Sequence, residues 1–242
     1  MKTIGILGGA SPVATVEYYK LVNAGIQARL GGYNTGEIII ASMNFATVER
    51  MVREDRWAEG AVYLNAKAKS LERAGADFIL CVANTMHKTA DAWMEGVNVP
   101  LLHIVDPTGA AIQAATLTKV ALLGTKPTMS AAFLRDRYTR KYGIEILVPS
   151  EAEQAYINTL IFTEFSQNRF TEEAKTGYLR IVDRLAEEGA QGVILGCTEI
   201  GLLINQADRP ALPMFDSMVL HAEAAVGMAL EEAGKNAGGS GN

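Results

Sequence analysis

EEGAQGVILGCTE (187–199) lies over RAGADFILCVANT (73–85) when Gly189 is set on Gly75, a shift of 114 residues. Each stretch reads as the end of a helix, a Gly-Ala turn, a short apolar strand and an abrupt polar stop. A second pair, KVALLGTKPTM (119–129) and TIGILGGASPV (3–13), aligns with Gly124 on Gly8 at a shift of 116. Strands that are apolar on both faces belong to covered parallel sheets. Short apolar runs that alternate with longer amphipathic ones give parallel α/β architecture. Strands are expected at 3–7, 37–42, 78–82, 101–104, 120–123, 145–148 and 193–195. Helices are expected at 11–30, 47–53, 57–74, 108–115, 128–142, 152–165, 172–188 and 217–234.

The repeat divides the chain into two pseudo-symmetric α/β lobes, each a mainly parallel sheet flanked by helices. The first covers 1–113 and the second 114–206, with a segment at 207–234 whose helix returns to the first lobe. The tail 235–242 reads as flexible. Ligands of such folds sit at the carboxyl ends of the strands, so the active site is expected in the cleft between the lobes. Under the alignment Cys197 falls opposite Ala83, Thr198 opposite Asn84 and Glu199 opposite Thr85.

The 242 residues are 49% apolar and 20% charged, with a net charge of −5. This acidic balance speaks against nucleic acid and anionic membrane as partners. No stretch approaches the ~18–20 apolar residues that a membrane helix requires, and the N-terminus does not read as a signal peptide. Two cysteines build no disulfide framework. A cytoplasmic, reducing setting fits free thiols.

Several residues stand out. Cys197 is either a buried core thiol or a thiolate base at a strand end, where backbone amides favour the anion. Cys81, inside a strand, reads as packing. Asn84 and Thr85 offer polar groups at a strand end. His87 is a base or an orienting group, and His103 a general base or a support. The turns GGAS (8–11) and GTKPT (124–128) are anion cradles or ordinary connections, with hydroxyls at Ser11, Thr125 and Thr128. Arg50 either pairs with a distal carboxylate or faces solvent. There is no phosphate loop and no Cys or His cluster with zinc spacing, so no metal is expected.

The motifs ANTMHK (83–88), LLHIVD (101–106) and GVILGCTEIGLL (192–203) resemble the aspartate/glutamate racemase family over nearly all of 1–234. That resemblance implies a cofactor-independent racemase of small acidic amino acids or dicarboxylates, a homodimer working without pyridoxal phosphate or metal. Two cysteines then face each other across the substrate α-carbon. Cys197 takes the second-lobe position. Asn84, Thr85, Thr198 and Glu199 bind substrate, with Ser11, Thr125 and Thr128 adding to the pocket. The sequence departs from the family pattern at Ala83, where the partner thiol is missing, and at GASPVAT (9–15), which usually reads Gly-Met-Ser-Trp-Glu-Ser-Thr. Ser11 and Thr15 survive there. Racemisation needs a proton on both faces of a planar carbanion. Ala83 therefore leaves water, His87 or Cys81 for the second face. The alternatives are a single-cysteine decarboxylase or lyase on a malonate-like diacid, and a low-activity carboxylate-binding variant.

Overall fold

The structure, a computed structural model, describes residues 1–231. The expected tail 235–242 and the end of the helix expected at 217–234 lie outside the described residues. In chain order the first half runs β1 (Ile4–Gly8), α1 (Pro12–Leu30), β2 (Ile38–Ser42), α2 (Phe45–Arg53), α3 (Trp57–Arg73), β3 (Phe78–Cys81), α4 (Ala90–Trp93), β4 (Leu101–Leu102) and α5 (Val105–Ala114). The second runs β5 (Lys119–Leu123), α6 (Lys126–Ser130), α7 (Ala132–Tyr142), β6 (Glu145–Leu147), α8 (Glu151–Thr163), α9 (Glu172–Glu187), β7 (Val193–Leu195), α10 (Ile200–Leu203), β8 (Met214–Asp216) and α11 (Ser217–Leu230).

Two four-stranded sheets form, in the orders β2-β1-β3-β4 and β6-β5-β7-β8, with every neighbouring pair parallel. This is the two-lobed α/β architecture that the repeat implies. The repeat extends to register. Leu7 pairs with Cys81 in the first sheet and Leu123 with Leu195 in the second, positions that the two alignments make equivalent. Gly75 and Gly189 share the same left-handed φ of +97°.

The strand centres bury on both faces, as their composition demands. One core combines β1 and β3 with α1 and α11, through Ile4, Ile6, Tyr18, Phe78, Ala222 and Val226. The opposite face of that sheet is covered by α3 through Leu64, Ala68 and Leu71. In the second lobe α9 covers one face through Tyr178, Ile181, Val182 and Leu185. Val105 and Ile112 of α5 pack on the other, with Val120, Leu122, Leu134 and Tyr138.

Two helices therefore exchange. Helix α5 follows the last strand of the first sheet and packs on the second sheet. Helix α11 follows the last strand of the second sheet and packs on the first. The expected boundary at 113 needs correcting, since α5 belongs by packing to the other lobe. So does the boundary at 206, because β8 pairs with β7 and carries the second sheet on to Asp216. Strand β8 is too short for its periodicity to be read from sequence. The helix expected at 128–142 is two, broken at Ala131, where ψ is 146°.

The turn from β1 into α1 shapes the cleft. Gly9 has φ +84°, and a Cβ there would lie 2.2 Å from the Met43 carbonyl oxygen and 2.3 Å from its nitrogen. Its N–H donates to Thr15 Oγ1 at 2.9 Å, and that hydroxyl donates to the Ser11 carbonyl at 2.8 Å. Ser11 then caps α1, accepting from Ala14 N at 3.1 Å, with Pro12 at the first helical position. Gly9→Ala combines a left-handed residue with a backbone clash. It should cost about 2–4 kcal/mol in urea denaturation. An unchanged midpoint would show that the turn relaxes freely.

Candidate active site

The carboxyl ends of β1, β3, β5 and β7 meet in a cavity of 220 Å³ between the lobes. Ser11 enters it after β1, Ala83, Asn84 and Thr85 after β3, Thr125 after β5, and Cys197, Thr198 and Glu199 after β7. Cys197 and Ala83 are both partly exposed there, at equivalent ends of equivalent strands.

Glu199 is 6% exposed, and its carboxylate accepts three hydrogen bonds. Cys197 Sγ donates to Oε2 at 3.0 Å and Thr198 Oγ1 to the same oxygen at 2.6 Å. Ser11 Oγ donates to Oε1 at 2.8 Å from the opposite lobe. Burial, and then the negative charge of Glu199 and the bond to it, push the Cys197 thiol well above its ordinary pKa. Backbone N–H groups of Glu199 and Thr198 pull it down. The Cys197 thiol and the Glu199 carboxyl group thus form one hydrogen-bonded pair facing the cavity.

Hydroxyls from both lobes form a second cluster. Thr85 Oγ1 lies 2.9 Å from Thr125 Oγ1 and 3.2 Å from Thr128 Oγ1, and the last two are 3.0 Å apart. Asn84 Nδ2 donates to Ser217 Oγ at 3.1 Å, and Ser217 Oγ donates to the Leu195 carbonyl at 2.8 Å. Of the expected substrate-binding residues, Ser11, Asn84, Thr85, Thr125, Thr198 and Glu199 line the cavity. Thr128 is fully buried behind it. Arg50 is exposed on α2 and is not among the residues that line the cavity. The charged residue of α2 that does line it is Glu49, one position away. In the first glycine turn the Gly9 N–H is already held by Thr15.

His87 and His103 lie behind the cavity wall, 3% and 9% exposed. His87 Nε2 accepts from Ile104 N at 3.4 Å, which fixes Nδ1–H as the donor to the Ala83 carbonyl at 3.0 Å. Its ring centroid is 4.5 Å from that of His103 and 6.4 Å from that of His221. His221 Nε2–H donates to the Leu102 carbonyl at 2.8 Å, and Nδ1 accepts from Tyr18 at 2.8 Å. His103 Nδ1 accepts from Val105 N at 3.2 Å. Three histidines scattered in sequence thus converge, a grouping that no sequence signal announces. Burial first, then neighbouring positive charge, lowers all three. His103 and His221 fall to about 3 and His87 falls well below its usual value. Neither His87 nor His103 lines the cavity. The Asp106 carboxylate is held by Arg137 and Lys141 rather than by the His103 ring. Burial raises the Asp106 carboxyl, but hydrogen bonds from Arg137 and Lys141 outweigh that and hold it at about 2. Cys81 is fully buried among apolar residues, its thiol pushed by burial to about 12. Among the described residues no group of His, Cys, Asp or Glu is placed to hold a metal ion, and no helix is long and apolar enough to cross a membrane.

The remaining lining was missed at the sequence level. Phe45, Val48, Glu49 and Val52 present one face of α2. The i, i+3, i+4, i+7 spacing in FATVERMV was the available signal. Ile161 and Phe162 close the other side from α8.

Comparison with known proteins places this geometry. The model of the Asp/Glu/hydantoin racemase family matches residues 7–225. A crystal structure from Yersinia pestis, ascribed to the Asp/Glu racemases, has a TM-score of 0.89 at 38% identity, covering 96% of this chain and all of the other. An aspartate racemase homologue from Pyrococcus horikoshii OT3 has a TM-score of 0.81 at 37% identity, covering 95% and 99%. The broad-specificity amino-acid racemase RacX of Bacillus subtilis is 25% identical over 227 residues, which are 92% of this chain and 96% of that one.

The histidine cluster makes a pH prediction. A histidine held neutral in the fold and free to protonate when unfolded favours the folded state above the unfolded pKa near 6.5. That advantage is lost as pH falls towards about 3, where His103 and His221 protonate in the fold. Each group contributes a slope of about 1.4 kcal/mol per pH unit. Denaturant titrations between pH 7.5 and 4.5 should show stability falling below pH 6.5, with two to three protons taken up on unfolding, about 3–4 kcal/mol per pH unit. Uptake of less than one proton would mean that the histidines are charged in the fold.

Proposed function

The chain belongs to the Asp/Glu/hydantoin racemase family, and from that premise we propose that it is a cofactor-independent amino-acid racemase in which Cys197 carries the α-proton. The observation that carries this reading is the partly exposed Cys197 thiol in the cavity, hydrogen-bonded to the buried Glu199 carboxylate.

Glu199 takes the thiol proton when substrate enters, and its bonds from Ser11 and Thr198 hold it in line. The substrate ammonium brings positive charge beside the pair and lowers the cost of the thiolate. The thiolate then removes the α-proton. The electron pair left behind spreads into the α-carboxylate. The hydroxyls of Thr85 and Thr125 stabilise that charge best when they are already fixed in place, as their mutual bond across the cleft makes them. The Cys197 thiol returns its proton to the same face. On the other face Ala83 offers only a methyl group. Cys81 and His87 are walled off from the cavity, which supports water as the donor there. The exchange of one enantiomer's α-proton is then fast and inversion slow.

Ala83 also favours a second reading. Decarboxylation of a substituted malonate releases carbon dioxide and needs only one proton donor for the resulting carbanion, which Cys197 supplies.

The two readings separate in heavy water. Incubation with amino-acid enantiomers, followed by NMR and optical rotation, should show α-proton wash-out from one enantiomer faster than loss of handedness. Cys197→Ser should abolish wash-out; exchange that survives it would sink the thiol mechanism. Glu199→Gln should slow it by about 10²-fold or more. Ala83→Cys should raise racemisation by a similar factor by supplying the missing acid. Carbon dioxide release from a substituted malonate, with no amino-acid exchange, would favour the decarboxylase.

A further inference from the structure

Resting on the racemase reading, we infer that the side-chain pocket of this site takes a neutral, apolar amino-acid side chain of the methionine or phenylalanine kind, and rejects aspartate and glutamate. The juxtaposition that carries this is an apolar wall from each lobe, with no cation between them. From the first lobe, Phe45, Val48 and Val52 line the cavity along one face of α2, and from the second, Ile161 and Phe162 face it from the end of α8.

Among the described residues, no lysine, arginine or histidine lines the cavity. Its two charged lining residues are both carboxylates, Glu49 and Glu199. Arg50 and Arg53 of α2 do not line the cavity, and Arg53 is held by the lining residue Glu49, its Nε donating to Glu49 Oε1 at 2.9 Å, and by Glu54, its Nη2 donating at 3.3 Å.

Charge matching follows. A zwitterion with an apolar side chain brings one carboxylate and one ammonium. The hydroxyls of Thr85 and Thr125 meet the carboxylate, and the wall carboxylates meet the ammonium. An acidic amino acid brings a second carboxylate into apolar surroundings whose described lining already holds two carboxylates, Glu199 and the Arg53-paired Glu49. Burying a charge without a partner is strongly unfavourable. The apolar surface of a methionine or phenylalanine side chain, by contrast, leaves water on entering.

The test uses the wild-type protein and two readouts. Calorimetric binding of L- and D-methionine, phenylalanine, lysine, aspartate and glutamate reports the pocket. Solvent deuterium exchange at Cα of the same panel reports the chemistry. Methionine or phenylalanine should bind at least about tenfold more tightly than aspartate or glutamate, with a similar bias in exchange. Binding led by aspartate or glutamate overturns the inference, as does binding led by lysine, which would assign the pocket to a cation paired with Glu49. No binding by any member overturns it too. Tight binding of apolar members without exchange upholds the inference and sinks the racemase reading instead. As a second arm, Glu49→Arg places a cation in the wall. It should shift the aspartate-to-methionine binding ratio by about tenfold towards aspartate; a ratio unmoved in a folded variant would overturn the inference.

Discussion

Glu199 is a carboxylate taken out of water, and a buried charge is tolerated only when hydrogen bonds replace its hydration. Two of its three donors come from its own strand end, Cys197 and Thr198. The third, Ser11, comes from the other lobe. Sliding one lobe against the other would strip a donor from a buried anion. The same carboxylate that accepts from the thiol therefore also ties the two lobes together through Ser11. Thr85 with Thr125, and Asn84 with Ser217, cross the cleft in the same way. The cavity is a gap held open by polar contacts on its floor.

Those contacts are directional and individually modest, so the larger scaffold has to bring them into range. The exchanged helices do this. Helix α11 buries Met218, Ala222, Ala225, Val226 and Ala229 in the first-lobe core, and α5 buries Val105 and Ile112 in the second. Each lobe completes its hydrophobic face with a helix that the other lobe's sheet leads into. The lobes are thus difficult to separate without exposing both cores. Asp106, at the start of α5, adds a bidentate pair with Arg137 of α7 at 2.9 and 2.7 Å. The histidine cluster sits where β4, α5 and α11 meet the turn after β3, and it fixes the Ala83 carbonyl from behind.

Much of this was readable from residues alone, because the repeat is local. Strand, Gly turn and polar stop recur in both halves, and the structure returns them with matching register and matching φ at Gly75 and Gly189. Cys197 and Ala83 at equivalent strand ends follow directly. What the sequence withheld depends on long-range placement. Nothing local tells α5 to leave its own lobe, and its apolar face would suit either sheet. The three histidines come from distant segments and share no spacing. Arg50 and Glu49 are neighbours in sequence, but the rotation of α2 turns one to solvent and the other to the cavity. Only the apolar face of α2 decides which, and that face is visible in FATVERMV once the helix is phased on Phe45, Val48 and Val52.

The backbone is close to symmetric and the chemistry is not. Between the equivalent strand ends, the second lobe carries thiol, hydroxyl and carboxylate in consecutive residues, Cys197, Thr198 and Glu199. The first carries Ala83, Asn84 and Thr85. A symmetric pair of acids would treat both faces of a carbanion alike. On the proposed racemase reading, one face of the carbanion meets the Cys197 thiol bonded to Glu199, and the other meets the Ala83 methyl group. The apolar wall bears on that side as well. A bulky apolar side chain seated between α2 and α8 excludes solvent, which strengthens the thiol–carboxylate pair. It also starves the Ala83 face of its proton source. If Cys197 carries the α-proton, substrate size and handedness are coupled: the better a side chain fills the pocket, the more one-sided the proton transfer becomes.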